Sequence, residues 1–476
     1  MATASDIVAP QWQIFEPPMI DQSTTEFEYV EYQQRDANQM NKPDGGEYTI
    51  ETRDSDAFLL PHKAVLEVRG RLTKADDSGD YGADEITLTN GGWSLFRSAK
   101  YEMNNHQVEE INEFLPQAST MMNLLAYSDD YGRSSATNML WYKDTGTAGA
   151  SSSRYRTAFP AGVIADATWA AADHTTRAEA RAVLGLLGAN LDNPDYNQGF
   201  ALRKAVTTGA KDTCLLLPLS QVFGSHKDID TAFIGVKHTY RFTRESANNY
   251  IFRANGVDAG KFVIKHISLW MPRMTPSLQI AAEIETRLVD GALRQLYFEQ
   301  VRIYRQSYQQ TETSPTWRVT TNSSEQLPNY VFVAFQLQTR YGDQETNPVV
   351  FDAGTLSRIS CWINSTRFPD RELEVSFAPA SRNYGRAYMM FQEAISKYSD
   401  TDSGSQVSVE DYASLFPIIA FNVGHHKERL RGSPADIEIR WSLSANFGGH
   451  YNVYALVLSD RYMQLNGLNG KMDVIV

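Results

Sequence analysis

Histidine, lysine and an acid meet twice in this chain of 476 residues: Gly224, His226, Lys227 and Asp228 recur as Gly424, His426, Lys427 and Glu428, with His425 making a histidine pair. An imidazole beside an ammonium and a carboxylate is raw material for acid–base catalysis or for a metal site. The spacing argues against both uses. Adjacent histidines on an extended chain point apart, and no cysteine or carboxylate stands at ligand spacing, so no metal and no cofactor is expected. The pairs Glu109–Glu110 and Asp129–Asp130 suggest glycoside hydrolysis, which needs an acid and a base or nucleophile across a cleft. With 57 acidic residues such pairs arise without purpose, and solvated loops account for them. Cys214 and Cys361 both lie in apolar runs and read as small buried hydrophobes. These residues assemble no reaction centre, and the chain does not read as an enzyme.

The elements that would position them are mostly β. Runs such as "AVLEVRGRLT", "KFVIKHISLWM", "YVFVAFQLQ", "RISCWIN", "IEIRWSLS" and "YNVYALVLS" are short, rich in β-branched and aromatic residues, and separated by turn chemistry such as "KPDGGE" and "NFGGH". Four stretches repeat apolar residues at helical spacing: "LPQASTMMNLLAYS", "TRAEARAVLGLLGAN", "SLQIAAEIETRLVDGALRQ" and "YGRAYMMFQEAISKYS". Many strands with few helices predict an all-β fold of packed sheets. The third helix, near 277–294, falls at the midpoint and suits a connector between two β domains.

Totals exclude several classes. The chain is long enough for two or three domains, with 42% hydrophobic residues to fill their cores. Its start lacks the basic and apolar regions of a signal peptide, and no run approaches a membrane span, so synthesis in a reducing compartment is expected. "NSS" at Asn322 and "NST" at Asn364 therefore carry little weight as glycosylation sites. A net charge of −13, with no basic cluster at either end, disfavours a nucleic-acid partner.

The second half repeats the first. "LFRSAKYEMNN" recurs as "LSRISCWINS", placing Asn104 opposite Asn364; a helix ending in Tyr-Ser-Asp follows in each half; then come the two Gly-x-His-Lys stretches, and after each a strand pair. The interval from that Tyr-Ser-Asp tyrosine to the proline before Gly-x-His-Lys is 91 residues in the first half and 19 in the second. An insertion of about seventy residues is thus expected over roughly 131–205. Long loops of this kind are surface features that often carry recognition.

With these motifs in place, the chain resembles the double jelly-roll major capsid proteins, in particular those of Polinton/Maverick elements, polinton-like viruses and virophages. The residues that carry the resemblance are Asn347, Pro348 and Phe351, the strand-ending Asn364, Pro369, and the helix start Arg386, Ala387, Tyr388. The resemblance runs from about residue 47 to the C-terminus, outside the insertion. It implies two tandem eight-stranded jelly-roll sandwiches with a few short helices: an N-terminal arm over 1–25, a first jelly roll over 26–275 with the insertion as a surface tower, and a second over 276–476.

By function it implies a major capsid protein, a pseudo-hexagonal homotrimeric capsomer tiling an icosahedral shell and located in the virion after synthesis in the host cytoplasm or nucleus. The implied partners are further copies of the chain, penton and minor capsid proteins, an internal membrane and a host surface receptor, with no specific nucleic acid. Trp12, Phe15, Pro17 and Pro18 make the arm a candidate interface element, since aromatic residues anchor interfaces. The rival reading is a two-domain jelly-roll glycan-binding protein or carbohydrate-active enzyme.

Overall fold

A computed structural model describes residues 23–35, 41–42, 45–53, 57–154, 193–319, 328–398, 405–424, 436–466 and 471–473. Strand after strand alternates buried and exposed side chains, as in Asp212–Pro218 and Ile437–Leu443, and this period of two commits each strand to one face of a sheet.

The eight longer strands before residue 277 form two facing antiparallel sheets, beside a short two-stranded sheet of Ile86–Leu88 and Ile251–Arg253. In one, Thr24–Gln33 lies beside Gly260–Pro276, then Val65–Lys74, then Asp212–Pro218. In the other, Glu47–Glu51 lies beside His238–Arg244, then Phe96–Met103, then His106–Ile111. Numbered along the chain, the sheets run 1-8-3-6 and 2-7-4-5.

Strands after residue 292 repeat the plan. Leu293–Tyr308, Tyr451–Asn466, Pro328–Leu337 and Ile419–Asn422 form one sheet, and Thr316–Val319, Ile437–Leu443, Leu356–Ile363 and Thr366–Glu374 the other. Their order is again 1-8-3-6 and 2-7-4-5. Two such sandwiches in tandem constitute a double jelly roll, the all-β class expected from the strand pattern.

The cores are aromatic and aliphatic. Trp93, Phe96 and Phe242 pack together in the first sandwich, and Phe335, Trp441 and Tyr451 in the second. Burying each such side chain contributes on the order of 2 kcal/mol or more. Leu278–Val289 is a helix between the sandwiches, as its periodicity predicts, but the chain is already a strand at Leu293, short of the expected helical limit.

The asparagine turns match closely. Asn104 and Asn105 have φ of 48° and 64°, and Asn364 and Ser365 have 45° and 74°, the two-residue hairpin geometry in which both central residues adopt positive φ. Each first asparagine also clamps the start of the seventh strand. Lys237 N–H donates to Asn104 Oδ1 (2.9 Å) and Asp436 N–H to Asn364 Oδ1 (2.8 Å), while each asparagine N–H donates back to the carbonyl of the same residue.

The proline correspondence does not hold. Pro218 ends the sixth strand of the first sandwich, whereas Pro417 precedes the sixth strand of the second. In the first sandwich Gly224 comes six residues after the sixth strand ends at Pro218, past a 3-10 turn over Leu219–Gln221, whereas in the second Gly424 comes two residues after the strand ends at Asn422; His425, His426 and Lys427 lie outside the described residues.

Candidate functional site: the seam between the sandwiches

The conspicuous chemistry lies where one sandwich meets the other. Helix Gly224–Asp228, which carries the first Gly-x-His-Lys stretch, packs on the free edge of Leu293–Tyr308. Glu299 N–H donates to Asp228 Oδ2 (2.8 Å), and Glu299 O comes so close that a Cβ on residue 224 would sit 1.7 Å from it. Only glycine fits there. Nearby, the Arg294 guanidinium donates to Ala232 O (2.7 Å) and to Thr231 Oγ1 and lies 4.0 Å from the centre of the Phe233 ring.

His226 is buried, with Nε2 2.9 Å from Tyr240 Oη; His238 is buried with Nδ1 2.7 Å from Tyr101 Oη. Burial holds His226 well below the usual imidazole range and His238 at about 3, so both are neutral. They are core histidines, and no cluster able to hold a metal occurs among the described residues.

Glu109 corrects the expectation of a solvated pair. It is 3% exposed and accepts from Gly224 N–H (3.0 Å), Ser225 N–H (2.8 Å) and the Ser225 hydroxyl. Burial raises its carboxyl to about 7 against those hydrogen bonds and the nearby Arg461 charge. Glu110, one step along the strand, faces the other way and accepts from Gln107 Nε2. Asp129 and Asp130 lie in the first turn of a short helix capped by Ser128. Cys361 is buried, with its thiol pushed up to about 12, but Cys214 is exposed, because its strand turns it to the outer face.

A second polar cluster ties the insertion to the second sandwich. The buried Arg203 guanidinium donates to Asp144 Oδ1 (2.8 Å), Leu88 O (3.1 Å) and Tyr142 O (2.8 Å). Asp144 Oδ2 in turn accepts from Asn347 Nδ2 (2.6 Å). Gln117 and Gln336 both donate to Pro348 O, and Phe351 N–H donates to Leu415 O. Gln406 binds across the same seam: its Oε1 accepts from Trp141 Nε1 (3.0 Å), and its Nε2 donates to Tyr127 O (2.7 Å). The stretch expected as an outer insertion thus begins and ends inside the fold, with Trp141, Phe200 and Arg203 fully buried; 155–192 lie outside the described residues.

The remaining family-motif positions serve packing. Pro369 falls in an edge strand where residues 369–372 loop out of the ladder, so its missing N–H breaks no pairing. Arg386 is exposed, Ala387 is buried, and Tyr388 Oη donates to Val407 O (2.8 Å). Trp12, Phe15, Pro17, Pro18 and Asn322 lie outside the described residues. Sequence reasoning missed Arg203, Asp144 and Gln406; the one available signal was a lone arginine in the apolar phase of a short helical stretch.

An open groove of about 790 Å³ beside the connector helix is lined by Thr25, Glu26, Arg53, Phe58, Met274 and Leu278 among others. Among the described residues that line it, Glu26 is the one carboxylate, whereas glycoside hydrolysis uses two. Most of the seam's polar groups bond to one another, and what this arrangement does chemically is lock two sandwiches in one orientation.

Among solved structures, the chain is similar to that of the Sputnik virophage determined by cryo-EM (TM-score 0.56, 9% identity, 99% of this chain and 93% of that chain). It is also similar to the PBCV-1 virus capsid (0.53, 11%, 97% and 100%) and to the mavirus major capsid protein (0.52, 11%, 100% and 95%). No curated protein sequence matches the chain. The family model of the double jelly roll-like domain matches residues 197–463, more than half of the chain, which crosses the seam and takes in the whole second sandwich up to its last strand. The chain belongs to the double jelly roll-like domain family.

Proposed function

We propose that the chain is a viral major capsid protein, a structural subunit without catalytic activity. One observation carries the reading: two sandwiches of identical strand order are held side by side by a hydrogen-bonded seam. In this reading residues 26–275 and 276–476 are the two jelly rolls, and three copies arrange six sandwiches around an axis as a pseudo-hexagonal capsomer that tiles an icosahedral shell. Closed rotational symmetry keeps each capsomer from growing into a fibre. The names of the similar structures, a virus capsid and a major capsid protein, support the reading.

The middle of the insertion would project as a tower from the outer surface. The arm over 1–25, with Trp12, Phe15, Pro17 and Pro18, would reach a neighbouring subunit, a minor or penton protein, or an internal membrane. Thr24 and Thr25, counted with the arm, lie in the first strand.

Size-exclusion chromatography with light scattering on the full chain is the test. The expected mass is 3 × 53.5 kDa or a larger assembly. A strict monomer that binds oligosaccharides would overturn the proposal in favour of a glycan-binding protein.

A further inference from the structure

The helix between the sandwiches gains little from either of them. Leu278–Val289 has 12 residues and none is buried. Ile280, Ala281, Ile284 and Leu288, at spacings of three and four, form an apolar stripe that is only half-buried, and Leu278 and Val289 are 87% and 71% exposed. A helix of this length is marginal in water unless its apolar face is packed. Against its first turn lies the groove of about 790 Å³, lined by Leu278 and Ala281 together with Thr25, Phe58 and Met274.

The register of the first strand shows which segment passes there. Thr24 pairs with Pro276, and Ser277 N–H, at the helix N-cap, donates to Ser23 O (2.8 Å). Because the two strands are antiparallel, the chain upstream of Ser23 sets out from the end of the pair at which the helix begins. Residues 1–22 lie outside the described residues, but their sequence suits the space. The helix spans about 18 Å, which about six extended residues cover, and the residues upstream of Ser23 include Ile20, Met19, Pro18, Pro17 and Phe15. Prolines favour an extended segment that needs no backbone partner. Charge agrees as well: residues 1–22 carry Asp6, Glu16 and Asp21 with no Lys or Arg, whereas the charged residues lining the groove are Arg53, Arg273 and Glu26.

We propose that residues 15–20 seat in this groove and along the connector helix of their own chain, with Met19 and Ile20 nearest the groove and Phe15 toward the far end of the helix. The seat covers the apolar stripe that the two sandwiches leave half-exposed. Only the residues before Phe15, Trp12 among them, then remain to reach beyond the protomer. The seat belongs to the single chain and does not rest on the capsid reading.

The test uses the full chain and two variants. With a benzophenone amino acid at Phe15, irradiation should give a product of one-chain mass, cross-linked to the peptide containing Leu278–Val289. The double substitution Phe15→Ser with Ile20→Ser should speed amide hydrogen exchange in Leu278–Val289 at least about tenfold and leave exchange in Gly260–Pro276 unchanged. An absent cross-link, one to another peptide, one between two chains, or equal exchange of the helix in both chains overturns the seat. Light scattering on the same samples keeps the two proposals apart: a trimer without the seat overturns this inference alone, and a monomer with it overturns the capsid reading alone.

Discussion

The two sandwiches share a strand order, yet their polar chemistry is unequal. In the first, Glu109 anchors the corner helix, His226 and His238 are buried against tyrosines, and Gly224 lets a foreign main chain touch it. In the second, a Cβ on residue 424 would come no nearer than 3.4 Å to the atoms closest to it, those of Asn329. The asparagine turns, by contrast, are reproduced down to the hydrogen bond. The strand order and the asparagine turns are thus repeated, whereas the buried polar groups around the Gly224 corner are peculiar to the first sandwich among the described residues. Where the copies differ, the difference marks a contact.

The comparison can be broken hardest at its glycines. Gly224→Val should be the most damaging change, driving Cβ into Glu299 O and forcing the sandwiches apart, whereas Gly424→Val should leave a protomer near wild-type stability; urea unfolding of both variants checks the contrast. Next, Arg203→Met should cost about 3–5 kcal/mol by leaving Asp144 buried with Asn347 as its remaining partner. Its effect should appear in urea unfolding as a split of one transition into two if the sandwiches lose their coupling.

Acid probes the first sandwich selectively. His226 and His238 bind protons less readily folded than unfolded, so the stability they permit is complete above 6.5 and falls with pH below it, for His238 until about 3. Glu109 has the opposite sign. Raised from 4.5 to about 7, it takes up its proton in the folded state first and offsets one histidine between those values. His238 alone predicts a loss of about 1.4 kcal/mol per pH unit below 6.5, which Glu109 offsets down to 4.5, and His226 adds to the loss. Urea midpoints from pH 8 to 4 measure it, and His238→Phe should remove about one histidine's share of the slope.

The smallest effect should come from the repeated turns. Asn104→Ala and Asn364→Ala should each cost about 1–2 kcal/mol, combining a lost hydrogen bond with an unfavourable positive φ. Near-equal losses in thermal melts would support the equivalence; a difference above about 1 kcal/mol would show that the turns, too, have specialised.

Much of the fold was legible because half-buried strands announce themselves by alternation, as "AVLEVRGRLT" and "IEIRWSLS" do. Thr24–Gln33 escaped because "TTEFEYVEYQ" puts exposed aromatic residues on its outward face and glutamates on both, which blurs the alternation that marks a half-buried strand. Helix Gln198–Thr207 escaped because its polar composition resembles the loop around it. The prolines misled: Pro218 and Pro417 sit at opposite ends of equivalent strands, and one proline looks like another without the strand register. At the seam, Asn347 was flagged by resemblance, but its partner Asp144 lies 203 residues away, and no local pattern announces a contact of that range. Glu109 was read as solvated because two adjacent glutamates reveal nothing of which one faces inward.

The connector helix Leu278–Val289 has no buried residue of its own, yet it changes the kinetics of assembly. Sandwiches joined by a short tether meet at an effective concentration in the millimolar range, far above that of separate chains. In the proposed ring every second contact is therefore intramolecular and forms as each chain folds. Only the alternate contacts wait on diffusion, so they alone respond to subunit concentration during assembly.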